Sequence, residues 1–330
     1  MPTNLPPEYF QIEEQFRAAT SSAEKIALLE EMLSVIPKHK GTDHLRADLR
    51  RKLSRLKEAA ESRKGTSRRV SPFVIEKEGA GQVAVIGPAN VGKSSLVRAL
   101  TNATPEIADY PYSTQIPVPG MMPFENIQIQ LIDTPPLARE YEDPQLLDLI
   151  RRCDVILLVV DIQAFPIDQY EETIAILTEN RIIPEHLHAD YSDTLRRLYV
   201  KPLVVLVNKV DNDSHAEDFE VLCELLGEDR CPFIPVSAVT ERNLPVLKEA
   251  LFKALNIIRI YSKKPGKEPN FDAPFVLKAG STVEDFAAKV HKDFVENLKA
   301  ARVWGSGVYE GQLVGRDHVL HDGDVVELRT

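Results

Sequence analysis

A lysine and a hydroxyl close the segment G-P-A-N-V-G-K-S at Gly87–Ser94, which fits the pattern G-x-x-x-x-G-K-S/T. Lys93 is a cation placed to reach the β- and γ-phosphates of a nucleotide, and Ser94 offers a hydroxyl to Mg²⁺. The loop Gly87, Asn90, Val91, Gly92, Lys93, Ser94 and Ser95 can curl its N–H groups around phosphate at a helix N-terminus, where the dipole favours an anion. An apolar run, Val83–Ile86, precedes it, and Leu96 and Leu100 follow at helical spacing. That is the strand–loop–helix setting such a loop requires. Thr114, D-T-P at Asp133–Pro135 and N-K-V-D at Asn208–Asp211 follow in that order. Thr114 can join Ser94 on the metal, and Asp133 can hold it through a water. One such motif arises by chance; the ordered set predicts a purine nucleotide with Mg²⁺.

The base is read from Asn208-Lys209-Val210-Asp211, which follows the apolar strand Leu203–Val207. The Asp211 carboxylate can accept from both N1–H and the exocyclic amine of guanine. Adenine offers no such pair of donors, and a buried carboxylate left unpaired is costly. Asn208 is expected to tie this segment to the phosphate loop, with the Lys209 stem lying over the base. A further strand, Phe233–Val236, leads into Ser237-Ala238, whose N–H groups suit the guanine O6. GTP and GDP are therefore the expected ligands.

With 330 residues, 43% hydrophobic and 27% charged, the chain has the length for two or three domains and the composition of an ordinary globular protein. Cys153, Cys223 and Cys231 lie too far apart for a metal knuckle, and Cys153 and Cys223 read as small core residues. The segment M-P-T-N-L-P-P-E-Y-F has neither a basic leader nor an apolar stretch of signal length. The longest purely aliphatic run, Val155–Val160, is far short of a membrane span. A cytoplasmic protein without a membrane partner is expected. Between Lys38 and Arg69 stand 12 Lys/Arg against 4 Asp/Glu, so the rest of the chain is more acidic than the net charge of −10 implies. Such asymmetry marks an interaction arm that can meet a polyanion in one orientation.

The elements that must position these groups fall into three parts. Residues 1–70 form a basic helical arm and linker. Ser21-Ser22-Ala23-Glu24 has capping-box spacing ahead of Ile26, Leu29, Leu33 and Ile36. Thr42 can cap a second helix with Leu45, Leu49, Leu53 and Leu56 on one face and Arg46, Arg50, Arg51, Arg55 and Lys57 on another. A solvated helical hairpin and a phosphate-contacting surface both fit that pattern. Residues 71–256 alternate strand and helix patterns, with strands at Val83–Ile86, Ile127–Ile132, Val155–Val160, Leu203–Val207 and Phe233–Val236. This predicts an α/β domain: a mostly parallel sheet, helices on both faces, and ligand at the C-terminal ends of the strands. Between Arg181 and Val200, His186, His188 and Asp190 fit no helix-face metal spacing and read as a solvated loop. Residues 257–330 form a compact α+β unit, with a strand at Pro274–Leu277, a helix capped by Ser281-Thr282 that contains Phe286, Val290 and His291, and a turn Asp322-Gly323-Asp324 into Val325–Leu328. It carries no catalytic constellation and reads as a binding module.

D-Y-P-Y-S-T at Asp109–Thr114, followed by P-V-P-G at Pro117–Gly120, resembles the first switch of the Obg-like GTPases. S-T-V-E-D-F at Ser281–Phe286, V-W-G-S at Val303–Ser306 and G-R-D-H-V-L at Gly315–Leu320 resemble a TGS domain. The combination is similar to the DRG branch of the Obg group over residues 80–330. The resemblance implies a TRAFAC-class P-loop GTPase fold, a β-grasp C-terminal domain, and a GTP-hydrolysing switch acting around ribosomes or RNA. It departs in the second switch, D-x-x-G, where Pro136 stands at the glycine and has no N–H for the γ-phosphate. Leu137 stands where Ras-like proteins carry the water-positioning glutamine. Lys93, Thr114 and Asn90 are then the expected catalytic residues, with slow intrinsic hydrolysis. Asn90 stands where similar GTPases bind K⁺ beside the β- and γ-phosphates; it can also simply hydrogen-bond the loop. The alternatives are a GTP-binding scaffold that scarcely hydrolyses and an RNA-binding adaptor in which nucleotide is structural.

Overall fold

The computed structural model describes residues 12, 22–36, 49, 71–101, 116–139, 143–191, 198–226 and 231–329. The expected Thr114, the D-Y-P-Y-S-T stretch, Ser21 and the basic face from Arg46 to Lys57 lie outside them. The chain divides into two compact units, Met1–Ser71 and Pro72–Thr330. In the first, helix α1 (Ser22–Val35) buries Leu28, Leu29 and Met32 with Ile12, Ile36 and Leu49. That accounts for the Leu29 and Ile36 stripe.

The second unit begins with β1 (Gln82–Ile86), α2 (Lys93–Leu100), β2 (Val118–Phe124), β3 (Ile127–Asp133), α3 (Pro144–Arg152), β4 (Val155–Asp161), α4 (Pro166–Glu179), β5 (Ile182–Pro184), β6 (Tyr199–Lys201), β7 (Leu203–Asn208), α5 (Asp213–Leu226), β8 (Phe233–Pro235) and α6 (Leu244–Leu255). Six of these strands form one sheet in the order β2-β3-β1-β4-β7-β8. All its pairings are parallel except β2 against β3. β1, β4 and β7 are buried along their whole length, as aliphatic strands covered on both faces must be. Alternation along them splits the core in two. Ile86, Leu158 and Val205 face α3, α4 and α5, whereas Val85, Leu157 and Leu206 face α2 and α6.

Edge strand β2 was not among the expected strands. Its sequence V-P-G-M-M-P-F holds two prolines, which a sheet tolerates at an edge because the missing N–H can face outward. The stretch after Arg181, expected as a loop, holds β5 and β6 paired in parallel and a helical turn at His188–Tyr191. No cluster of three metal-type ligands occurs among the described residues.

The chain continues through β9 (Ile257–Ser262), β10 (Phe275–Lys278), α7 (Val283–Val290), α8 (Lys292–Asn297), β11 (Ala300–Trp304), β12 (Gln312–Val314) and β13 (Val325–Arg329). These strands form a second sheet, β10-β9-β13-β11-β12, with its own core around Ile260, Phe286, Val303 and Val326. Thr282 and Asp285 cap α7 reciprocally, as a capping box does. His291, expected inside that helix, instead ends it in extended backbone and caps α8. In V-W-G-S, Gly305 has φ +156°, and any Cβ there would strike the fully buried Asp324 carboxylate, which accepts from Ser306 N (3.1 Å) and His321 N (2.8 Å).

The β2–β3 turn meets the second sheet. Asn126 donates to the Tyr261 hydroxyl (2.7 Å) and to the Phe271 carbonyl (3.1 Å). Arg259 bridges Asp322 (2.7 Å) and Glu125, and lies over the Phe252 ring at 5.0 Å. No described helix is long and apolar enough to cross a membrane.

Candidate functional site

The loop from Gly87 to Gly92 joins the C-terminal end of β1 to α2, and two left-handed residues shape it. Asn90 has φ 64° and Gly92 φ 92°. Asparagine tolerates that region; at Gly92 a Cβ would also collide with the Asn208 amide nitrogen. The first N–H groups of α2 have no earlier helical carbonyl to bond, which leaves them for an anion. Lys93 is buried and curls back over the loop, its Nζ donating to the carbonyls of Gly87 (2.9 Å) and Pro88 (2.7 Å). Burial pulls its pKa down to about 8, against the pull of Asp133. Among the described residues the ammonium donates only to carbonyls, with Asp133 as the nearby countercharge, so an anion entering the loop would gain a direct ion pair with it.

Beside it, at the C-terminal end of β3, burial raises the pKa of Asp133, opposed by a hydrogen bond from the Ser94 side chain and by the charges of Lys93 and Arg98. Its Oδ1 is buried and has no hydrogen-bond partner among the described residues. A carboxylate oxygen aimed inward without a donor fits a metal-bound water better than it fits the core. These groups line a cavity of about 440 Å³ together with Asn90, Gly92, Ser94, Ser95 and Thr134–Pro136. Ser94, Ser95 and Asn90 are exposed in it. The residues thus suit a phosphate chain with one hard cation.

Pro136 lines that cavity, but Leu137 does not. The Leu137 side chain is 2% exposed within the core, and its N–H is bonded to the Gly87 carbonyl (3.1 Å). Leu137 therefore occupies the position of a water-positioning residue in sequence only; its side chain packs beneath the loop.

Asn208 ends β7, with its Nδ2 donating to the Val91 carbonyl (2.8 Å) and its Oδ1 accepting from Ala238 N (3.4 Å). Ser237 Oγ donates to Asp211 Oδ1 (2.6 Å) and accepts from Thr240 N (3.0 Å). The two segments expected to read the base, 208–211 and 237–238, are thereby joined to each other and to the phosphate loop. Asp211 itself is exposed rather than buried, so a bound base would supply its desolvation. Lys209 has φ 66°, and its ammonium is ion-paired with Asp161. The sequence reading had no place for Asp161 or for Gln163, which donates to the Lys209 carbonyl (3.1 Å). The signal available was a carboxylate at the C-terminal end of the Val155–Asp161 strand.

Residues 82–209 match the family model of the 50S ribosome-binding GTPases, and residues 258–330 match the TGS domain. A GTP-binding protein of Methanocaldococcus jannaschii is 33% identical over 92% of this chain and 92% of its own length. The chain belongs to the DRG-type GTP-binding proteins. Among its relatives, developmentally-regulated G-protein 3 of Arabidopsis thaliana is 29% identical over 92% of this chain and 98% of its own. Ribosome-interacting GTPase 1 of Saccharomyces cerevisiae is 26% identical over 94% and 99%. The fold is similar to that of the YchF GTPase of Schizosaccharomyces pombe, with a TM-score of 0.54 at 15% identity over 77% of this chain and 99% of that one. Membership in this family accounts for a P-loop sheet followed by a TGS sheet within one chain.

Proposed function

We propose that this DRG-type protein is a Mg²⁺-dependent GTPase switch acting on ribosomes or RNA in the cytoplasm. Lys93 and the backbone of Gly87–Ser95 hold the phosphates, Ser94 and Thr114 ligate the metal, and Asp133 supports it through water. Asn208, Lys209, Asp211 and Ser237-Ala238 read guanine. Mg²⁺, when bound, offsets charge on the β- and γ-phosphates, and K⁺ beside Asn90 would add to that effect. The carrying observation is the buried Asp133 Oδ1, without a hydrogen-bond partner among the described residues, next to the buried Lys93 ammonium at the end of a loop that Asn208 ties to the 208–211 segment. In this reading residues 1–70 are the arm, 71–256 the GTPase domain and 257–330 the TGS domain, with polyanion contact shared by arm and TGS domain. The arm's positive charge and the similarity to ribosome-interacting GTPase 1 of Saccharomyces cerevisiae support the ribosome as partner.

The test is displacement of fluorescent GDP by GTP and ATP with and without Mg²⁺, followed by single-turnover cleavage with and without ribosomes. GTP-selective, Mg²⁺-dependent binding with slow cleavage that ribosomes accelerate is the expected result. Co-sedimentation with ribosomes in GTP-analogue, GDP and nucleotide-free states reads the switch directly. Deleting residues 1–64, or reversing Arg50, Arg51 and Arg55, should weaken that association and flatten its salt dependence.

One observation favours a second reading, a scaffold with little hydrolysis. Pro136 faces the cavity without an N–H, and the neighbouring Leu137 N–H is committed to Gly87. Ribosome affinity that follows nucleotide state with no cleavage in any condition would select it. RNA affinity indifferent to nucleotide would select the adaptor.

A further inference from the structure

Phe165 combines two features that a core residue would not. It has φ 51° and ψ 58°, a left-handed conformation that bulky side chains avoid, and its ring is 80% exposed. The turn is held from behind, because Gln169 donates to the Ala164 carbonyl and accepts from Asp161 N (2.9 Å). The ring is thereby presented at the start of α4 beside a groove of about 530 Å³ between α4 and α5. Its apolar lining includes Phe165, Ile167, Val221 and Leu225, and Asp168 and Asp218 bring charge to it. Val221 and Leu225 lie one turn apart on α5 and are 55% and 66% exposed.

The charge around this groove has one sign. α4 and α5 together carry nine Asp/Glu and no Lys or Arg, and among the described residues only Glu179 of these is ion-paired, to Arg139. An RNA backbone or an anionic membrane is repelled by such a rim. A second copy docking the same face about a two-fold axis would set acid against acid. The chemistry that complements an apolar stripe between acidic helices is a helix with leucines at i, i+3, i+4 and i+7 flanked by lysine or arginine. We propose that this groove docks a basic amphipathic helix of a partner protein. None of its residues is assigned to nucleotide, so the proposal stands apart from the GTPase reading.

The test uses the full chain and two fluorescein-labelled synthetic helices. One carries leucines at that spacing flanked by lysines; the other has glutamate at every lysine. The basic helix should bind with an affinity that falls as salt rises, and the acidic one should not bind. Phe165→Gly removes the ring and suits the left-handed backbone, so it should fold at least as well as wild type, which a melting curve checks. Leu225→Ser, at an exposed position, provides an independent variant. Each should weaken the basic helix by ~10-fold or more. Unchanged affinity in both variants overturns the proposal, since the attraction is then diffuse charge alone. No binding of the basic helix overturns it too. So does a concentration-dependent dimer that Phe165→Gly disperses, because the occupant is then a second copy.

Discussion

Asn208 and Val91 stand 117 positions apart, and the Asn208 side-chain amide donates to the Val91 carbonyl across 2.8 Å. Its carbonyl oxygen accepts from Ala238 N, so one side chain joins the loops after β1, β7 and β8. A ligand spanning phosphate and base pockets would meet walls already fixed relative to each other. Such preorganisation limits the ordering cost of binding.

Gly92 makes that bond sterically feasible. Gly92→Ala forces a Cβ against the Asn208 amide and holds alanine at φ 92°, and should cost about 1–3 kcal/mol of stability. Adding Asn208→Ala should relieve the collision but not the backbone strain, so rescue will be partial. Urea denaturation of the two single variants and the double variant checks this. Purely additive losses would mean that Asn208 is not what the new methyl meets.

Guanine selectivity should rest on Asp211. The Ser237 hydroxyl donates to one oxygen of its carboxylate (2.6 Å), and the residue is exposed. Asp211→Asn should weaken GTP at least ~10-fold, since a hydrogen bond to a charged group contributes ~1.5–3 kcal/mol. It should also shift preference toward xanthine nucleotides, whose C2 oxygen accepts from the new amide. Titration with GTP, XTP and ATP decides the matter. Equal wild-type affinity for ATP and GTP would sink the guanine assignment.

How much of this was readable in sequence depended on which physics fixed each residue. β1, β4 and β7 were legible because strands buried on both faces must be unbroken aliphatic runs. β2 was not, because its two prolines mimic a loop and become strand only at the edge that the antiparallel β3 pairing creates. Asn208, Lys209 and Asp211 could be found from local spacing. Asp161 could not, because it meets Lys209 through the register that sets Asp161 beside Asn208 across β4 and β7. Leu137 shows the opposite error. Its place in a motif said nothing of its direction, which the Gly87 carbonyl and the core decide.

The Arg259–Asp322 pair within the TGS sheet should be acid-sensitive. Burial pushes the Asp322 carboxyl up, but hydrogen bonds from the Arg259 side chain and backbone, with its charge, hold it below its ordinary 3.8. A depressed carboxylate stabilises the fold in full above the unfolded value and loses that contribution as pH falls through the folded one. The side chain is 34% exposed, so screening trims the effect to roughly 0.5–1 kcal/mol. Asp322→Asn should therefore melt lower than wild type at pH 7, with the gap narrowing below pH ~3.8. A gap constant from pH 7 to pH 3 would show that the pair does not titrate with folding.

Pro136 departs from the D-x-x-G pattern of the second switch, and it divides the question of hydrolysis with Asn90. Asn90 is exposed at φ 64° in the cavity wall, so Asn90→Ala would mix loss of the amide with backbone strain. Asn90→Gly keeps the left-handed turn and removes only the amide. Basal cleavage should be slow, and faster in K⁺ than in Na⁺. The glycine variant should lose that difference while GDP affinity stays nearly intact, because the ion acts on charge developing between the β- and γ-phosphates. Pro136→Gly, which restores an N–H at the cavity wall, should tighten binding of a non-hydrolysable GTP analogue relative to GDP. Single-turnover rates in matched K⁺ and Na⁺ buffers, with analogue and GDP titrations for both variants, measure these outcomes. Identical wild-type rates in the two salts would dispose of the monovalent-ion role and leave the γ-phosphate to Lys93, the Mg²⁺ ligands and a partner.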